Sequence, residues 1–235
     1  MKPALLLIPG MLNDASLWAE VVAAVQDVAE VRIAQVQTQA DVPTMAQDGW
    51  ALLAGLPPQA PVVLAGFSLG GYVALDMMAR PQCPLAAAVL ISTSARPESP
   101  EGAVSREKTI LAMQADFVQV VKGIAKWGTH AAPADLLDRL QTMMLRVGAD
   151  TGMRQTRAIK ARADHRSALG AVTLPVTVLC GAQDRITPSA LSEELAGLLP
   201  MARLHIIEGA GHMLPMEQPQ AVAAALRLQL EGLTL

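Results

Sequence analysis

Residues 61–80, PVVLAGFSLGGYVALDMMAR, run from an unbroken apolar stretch through one serine into a helical pattern. Residues 62–65 are apolar on both faces, as expected of a strand covered on both sides. Residues 69–80 read as a helix that Pro81 ends. Between them Gly66-Phe67-Ser68-Leu69-Gly70 fits G-x-S-x-G. A strand that turns at once into a helix forces its apex residue into a strained backbone conformation. It also leaves no room for side chains two residues to either side, where this chain has glycine. Ser68 is therefore expected to project its hydroxyl from the C-terminal edge of a sheet. The helix that begins there offers unpaired N–H groups and the positive end of a dipole. The plainer alternative makes the glycines packing residues and Ser68 a helix cap. The strand–turn–helix setting favours an exposed nucleophile.

The rest of the chain repeats this alternation. Short apolar runs at 4–8, 31–36, 62–65, 86–91, 176–180 and 203–207 read as strands. Helical spacing appears at 16–28, 44–56, 69–80, 188–199 and 220–230. Strands apolar on both faces and separated by helices predict an α/β fold, with a mostly parallel sheet of about six strands and helices on both faces. Residues 94–169 break the rhythm. They hold helical patterns near 108–121, 136–147 and 152–163 but no convincing strand. The expectation is a core built from 1–93 and 170–235, with 94–169 inserted as a helical cap and SARPESPEG (94–102) as the hinge into it.

Composition narrows the function. The 235 residues are 52% hydrophobic and 17% charged, with a formal net charge of −3. That is a globular composition with no broad basic field for nucleic acid. No apolar run approaches the length of a membrane span, and the apolar start MKPALLLIPG is too short for a signal segment. Cys83 and Cys180 lie far apart with no metal-ligand spacing, so two free thiols are expected. Together these features suggest a soluble, cytoplasmic protein without a metal or organic cofactor. They leave the oligomeric state open.

A serine hydroxyl needs a base within hydrogen-bond reach, and the base needs an orienting carboxylate. Of the four histidines, His205 falls inside a strand and His130 and His165 fall in the insertion. His212, in Gly209-Ala210-Gly211-His212, follows the last strand on a loop at the catalytic edge and is the expected base. Asp184, in GAQDRITP, also follows a strand and is the expected acid. Glu208 and Glu217 are nearer His212 in sequence, but one ends a strand and the other begins a helix. Two backbone donors are needed for an oxyanion hole. They are expected from Leu69, directly after Ser68, and from Met11, in the loop Pro9-Gly10-Met11-Leu12-Asn13 after the first strand.

Four blocks now stand in order: IPGMLNDASLW, GFSLGGYVAL, LCGAQDRITP and EGAGHMLPMEQP. In these the chain resembles the α/β-hydrolase superfamily over nearly its whole length. Within it, the chain is similar to the small carboxylesterases grouped with pimeloyl carrier-protein methyl esterase and 3-oxoadipate enol-lactonase. The resemblance implies Ser68 as nucleophile, Asp184 as acid, His212 as base, Met11 and Leu69 as oxyanion donors, and a cap over the active site. Two departures stand out. Pro9-Gly10 replaces the His-Gly of many members, and Met1 lies almost at the first strand, where a β-hairpin usually precedes it.

The implied reaction is hydrolysis of a small, largely apolar carboxylic ester through an acyl-enzyme. Lactone or C–C bond hydrolysis on the same residues, and a near-silent receptor for a small ligand, remain alternatives. A serine in place of aspartate argues against dehalogenase and epoxide hydrolase chemistry. Trp127, Met113, Met143 and Met144 are candidates for an apolar pocket lining, although methionines at helical spacing also suit a core. Arg162, Asp164 and Arg166 are expected to form a salt-bridge network or helix cap rather than a clamp for a substrate carboxylate.

Overall fold

A computed structural model of the chain describes residues 2–233. Six strands form one sheet: β1 (Ala4–Ile8), β2 (Glu30–Ile33), β3 (Val62–Phe67), β4 (Ala87–Ile91), β5 (Val176–Gly181) and β6 (Ala202–Ile207). Their order is β2-β1-β3-β4-β5-β6, and every neighbouring pair is parallel. Parallel neighbours need crossovers, and the helices supply them. They are α1 (Ala19–Val25), α2 (Val42–Leu53), α3 (Leu69–Ala79), α4 (Pro100–Gly128), α5 (Ala134–Val147), α6 (Ala149–Lys160), α7 (Ser189–Leu198), α8 (Leu214–Glu217) and α9 (Pro219–Glu231).

Two apolar layers follow from the strand period of two. Leu5, Leu7, Val63, Ala65, Val89 and Ile91 face one way and pack with Val21 and Val25 of α1 and Val222 and Leu226 of α9. Leu6, Ile8, Leu64, Ala88 and Leu90 face the other way. They meet Met45 and Trp50 of α2, Val73 and Met77 of α3, and Leu195 of α7. All five residues of β1 and of β4 are buried, and so are all six of β3 and of β5. The edge strands β2 and β6 are half exposed.

Three helices, α4 to α6, stand between β4 and β5, where the sequence suggests an insertion. The first is longer than its apolar pattern, 29 residues from Pro100 to Gly128. It starts early because the Ser99 side chain accepts from the Gly102 N–H and Pro100 occupies the first turn, where its missing donor costs nothing. Asp116 leaves helical geometry in mid-course, and its carboxylate caps the second half by accepting from Gln119 N. Leu140, Met143 and Met144 of α5 join the first apolar layer, while Ala158 and Ile159 of α6 join the second. The predicted strand 31–36 is shorter, ending at Ile33. The predicted helix 16–28 is a 3₁₀ turn over Ala15–Trp18, capped by the Asp14 side chain, followed by α1. Cys83 and Cys180 are free thiols, and burial pushes the Cys180 thiol up to about 11. Among the described residues, no helix is long and apolar enough to cross a membrane.

Candidate active site

The turn between β3 and α3 has the strain that the sequence implies. Ser68 sits at φ 51°, ψ −112°, outside the regions that an L-residue prefers. The neighbouring segment at the end of β4 holds it there: its N–H donates to Ile91 O at 2.9 Å, and Thr93 Oγ1 donates to its carbonyl at 3.0 Å. The two glycines are required by close approach. A Cβ on Gly66 would overlap the Gly70 carbonyl, and one on Gly70 would overlap the Ile8 carbonyl of β1. Such strain persists only where its surroundings over-determine it, and it gathers at functional sites.

His212 reaches this serine from the loop after β6. Its Nε2 lies 3.0 Å from Ser68 Oγ, and its Nδ1 lies 2.8 Å from Asp184 Oδ2. His212 and Asp184 are both buried, and the Phe67 ring packs against the imidazole with centroids 5.2 Å apart. Asp184 stands just past β5 and accepts from Ile186 N, Thr187 N and Thr187 Oγ1, each at 2.8 Å. Burial alone would raise its pKa. The attraction of His212 and the hydrogen bonds from His212 and Thr187 outweigh that and hold it below the ordinary carboxylate value. With this carboxylate on Nδ1, the imidazole has its Nε2 lone pair facing the hydroxyl, the arrangement by which a histidine can take a serine proton.

The histidine loop is tied to the end of α4. His212 N and Met213 N donate to Gly128 O at 2.8 and 3.0 Å. Glu217 Oε1 accepts from His130 N at 2.7 Å and from Gly211 N at 3.0 Å. Burial raises the Glu217 pKa against the pull of these donors. Glu217 thus fastens the loop rather than orienting the imidazole. His205 and His130 are exposed, and His165 lies 3.8 Å from Asp76, so none of the three reaches Ser68.

A cavity of about 160 Å³ opens above Ser68 and His212. Met11, Phe67, Ile124, Met144, Ile186, Leu191 and Met213 supply its apolar wall. Asn13, Tyr72, Ser94, Glu98, Arg106, Arg162 and Thr187 supply the polar part. Leu69 opens α3, so its N–H has no partner within the helix, and Met11 stands in the loop leaving β1. Helix α6 holds that loop in place. Gln155 Oε1 accepts from Leu12 N at 2.8 Å while Gln155 Nε2 donates to Val36 O at 2.7 Å.

Of the four candidates for the pocket, only Met144 lines this cavity. Met113 and Met143 are 2% and 1% exposed and belong to the apolar core, where a helical methionine stripe naturally falls. Trp127 is 57% exposed on a separate groove, with the Arg185 guanidinium 4.4 Å above its ring. Arg162 forms the expected ion pair, but with Glu98 rather than within the 162–166 cluster, where Arg166 pairs with Asp164. Sequence reasoning missed Asn13. It is 1% exposed in the cavity wall, and among the described residues neither its Oδ1 nor its Nδ2 meets a hydrogen-bond partner. It also missed the Gln155 bridge, since nothing local marks a glutamine that acts across 143 positions. Among the described residues, no group of three or more His, Cys, Asp or Glu is placed to hold a metal ion.

Comparisons with known proteins agree with this architecture. A pimeloyl-[acyl-carrier protein] methyl ester esterase of Aromatoleum aromaticum is 32% identical over 213 residues, covering 83% of each chain. One of the same description from Neisseria meningitidis serogroup B is 30% identical over 181 residues, 74% of this chain and 70% of the relative. Among solved structures, a thermophilic esterase from Thermogutta terrifontis, determined with malate bound, superposes with a TM-score of 0.88. It is 25% identical, and the match covers 99% of this chain and 90% of that one. The enol-lactonase of Burkholderia xenovorans LB400 superposes with a TM-score of 0.84 over 98% of this chain and 92% of its own, at 21% identity, a likeness of fold. The pattern of the alpha/beta hydrolase family spans residues 5–225, and the chain belongs to that family.

Proposed function

We propose that this protein is a serine esterase that hydrolyses a small carboxylic ester through an acyl-enzyme. The observation that carries the reading is one imidazole bridging Ser68 Oγ and Asp184 Oδ2 at 3.0 and 2.8 Å, beside a cavity, with the serine in a strained turn. The relatives named as methyl ester esterases support the same reaction class.

His212 Nε2 takes the Ser68 proton as Oγ attacks the ester carbonyl. The tetrahedral oxyanion is held by the N–H groups of Leu69 and Met11, which act where charge develops. His212 then gives the proton to the departing alkoxide, and the alcohol leaves. A water, deprotonated by His212, attacks the acyl-enzyme, and the second collapse restores Ser68 with release of the carboxylic acid. Asp184 keeps the imidazole tautomer and stabilises the imidazolium in each half. Helices α4 to α6 act as the cap that closes the cavity and shapes the acyl subsite.

The test is hydrolysis of p-nitrophenyl acetate and of short methyl esters by wild type and Ser68→Ala. The expected result is burst kinetics in wild type, a single phosphonate label on Ser68, and loss of turnover by at least a thousandfold in the variant. Turnover retained in Ser68→Ala would overturn the mechanism.

A further inference from the structure

The polar end of the cavity carries an imbalance of charge that ester hydrolysis does not use. Glu98, in the segment before α4, accepts from Arg106 Nε at 2.8 Å and from Arg162 Nη1 at 2.9 Å through the same oxygen, Oε2. The carboxylate is nearly buried, with its side chain 11% exposed. Burial pushes its pKa up, and the two arginines outweigh that and bring it below the ordinary value, so it is ionised at neutral pH. Two guanidiniums against one carboxylate leave one unit of positive charge on this wall.

The two arginines differ in what remains free. Arg162 is 8% exposed and largely spent: Nε donates to Arg96 O, Nη1 to Ile159 O as well as to Glu98, and Nη2 to Pro97 O. Its guanidinium also lies 4.6 Å from the centre of the Tyr72 ring. Arg162 is thus the fixed anchor. Arg106 uses only Nε, and among the described residues neither of its terminal nitrogens meets a protein acceptor. Its side chain is 27% exposed and lines the same cavity as Ser68 and His212. A guanidinium held at Nε by a rigid carboxylate keeps its other edge oriented, and that edge matches two oxygens of a carboxylate.

We propose that the cavity takes an ester bearing a second, free carboxylate, a half-ester of a short dicarboxylic acid, with Arg106 binding that carboxylate while the ester lies over Ser68. Glu98 and Arg162 are positioning residues that hold Arg106. The inference rests on the esterase reading for its turnover but not for its binding, and two readouts keep them apart.

The first readout is binding to Ser68→Ala, which removes chemistry. Calorimetry compares monomethyl glutarate with methyl valerate, an uncharged ester of similar length. The half-ester is expected to bind at least tenfold more tightly, with the difference lost in Ser68→Ala/Arg106→Gln. Equal affinity, or an advantage that survives Arg106→Gln, overturns the proposal. The second readout is the ratio of kcat/KM for the two esters in proteins that carry Ser68. Arg106→Gln should lower that ratio at least tenfold, mainly through KM, Arg106→Lys should recover part of it, and the surface variant Arg166→Gln should keep the wild-type ratio. A ratio unmoved by Arg106→Gln overturns the proposal as well. If the half-ester binds through Arg106 but no ester is turned over, the esterase reading fails and the carboxylate site stands.

Discussion

Replacing Gln155 with leucine tests how far α6 supports the chemistry, because leucine keeps nearly the same volume and removes only the amide. Gln155 is fully buried and satisfies two backbone groups on different loops, Leu12 N–H and Val36 C=O, both in fully buried residues. Each buried group that loses its partner costs about 1–3 kcal/mol, so Gln155→Leu is expected to destabilise the fold by about 2–6 kcal/mol. That is a large part of the roughly 5–15 kcal/mol available to an ordinary domain. Leu12 also sits at φ 59°, a left-handed conformation that an L-residue adopts only under constraint. Its release should move the adjoining Met11 N–H, the proposed second oxyanion donor, and losing such a donor costs about 3–4 kcal/mol in the transition state, equivalent to a 10²–10³-fold fall in kcat. Urea unfolding gives the first quantity. Steady-state kinetics well below the melting transition, where the variant is folded, give the second. A variant within 1 kcal/mol of wild type, with unchanged kcat, would show that the bridge carries neither load, and the assignment of Met11 would fall with it.

Gly70→Ala should abolish soluble expression or lower the melting temperature sharply, since its Cβ would overlap the Ile8 carbonyl and neither the start of α3 nor the buried end of β1 can retreat; thermal denaturation decides this. Thr187→Val removes the hydroxyl that donates to Asp184, and a hydrogen bond to a charged group is worth about 1.5–3 kcal/mol, so a loss of that size is expected in chemical denaturation, together with a lower kcat. Because the native Asp184 pKa is lowered, its stabilising effect is complete above the unfolded value of 3.8 and disappears as pH falls through the native one. The stability gap between wild type and Asp184→Asn, measured in urea at pH 7 and again near pH 3, should therefore narrow at the acid end.

The core was legible in the sequence because its strands are short, doubly apolar and punctuated by proline and glycine. β1 was expected at residues 4–8 and lies there, and the turn at Ser68 follows from two glycines whose reason is steric. Their positions just past strands placed Asp184 and His212 on loops at one sheet edge, and their side chains meet there. The cavity wall was far less legible. The segment holding Glu98 was read as a hinge because proline, serine and glycine crowd it, yet its carboxylate is fixed by an arginine 64 positions away. Helix α4 in fact begins within that segment, at Pro100 with Ser99 as its cap, eight residues before the apolar pattern placed it. Helical periodicity marks a buried face but not what that face is buried against. Met113 and Met143 therefore sit wholly in the core, while Met144, one position on and equally buried there, also borders the cavity.

The same interactions bear on how helices α4 to α6 and the sheet depend on one another. The end of β4 and the residues just past it fix the Ser68 backbone, through Ile91 and Thr93. They do not fix the other loops of the site. The Gly211–Met213 segment is held by the Gly128 carbonyl and by Glu217, which also grips His130 N beyond the end of α4. The loop after β1 is held by Gln155, and the Met11 sulfur accepts from Thr156 Oγ1 at 3.4 Å. Helices α4 and α6 therefore supply hydrogen-bond partners for the loops that carry His212 and Met11, the base and second oxyanion donor of the proposed mechanism. Shape alone would make the proposed cap exchangeable among relatives, with specificity as the only consequence. If α4 to α6 are the cap proposed above, these bonds make them part of the framework that brings His212 to Ser68, so a replacement that neither places a carbonyl where Gly128 O stands nor keeps an amide at position 155 should lose kcat before it alters substrate preference.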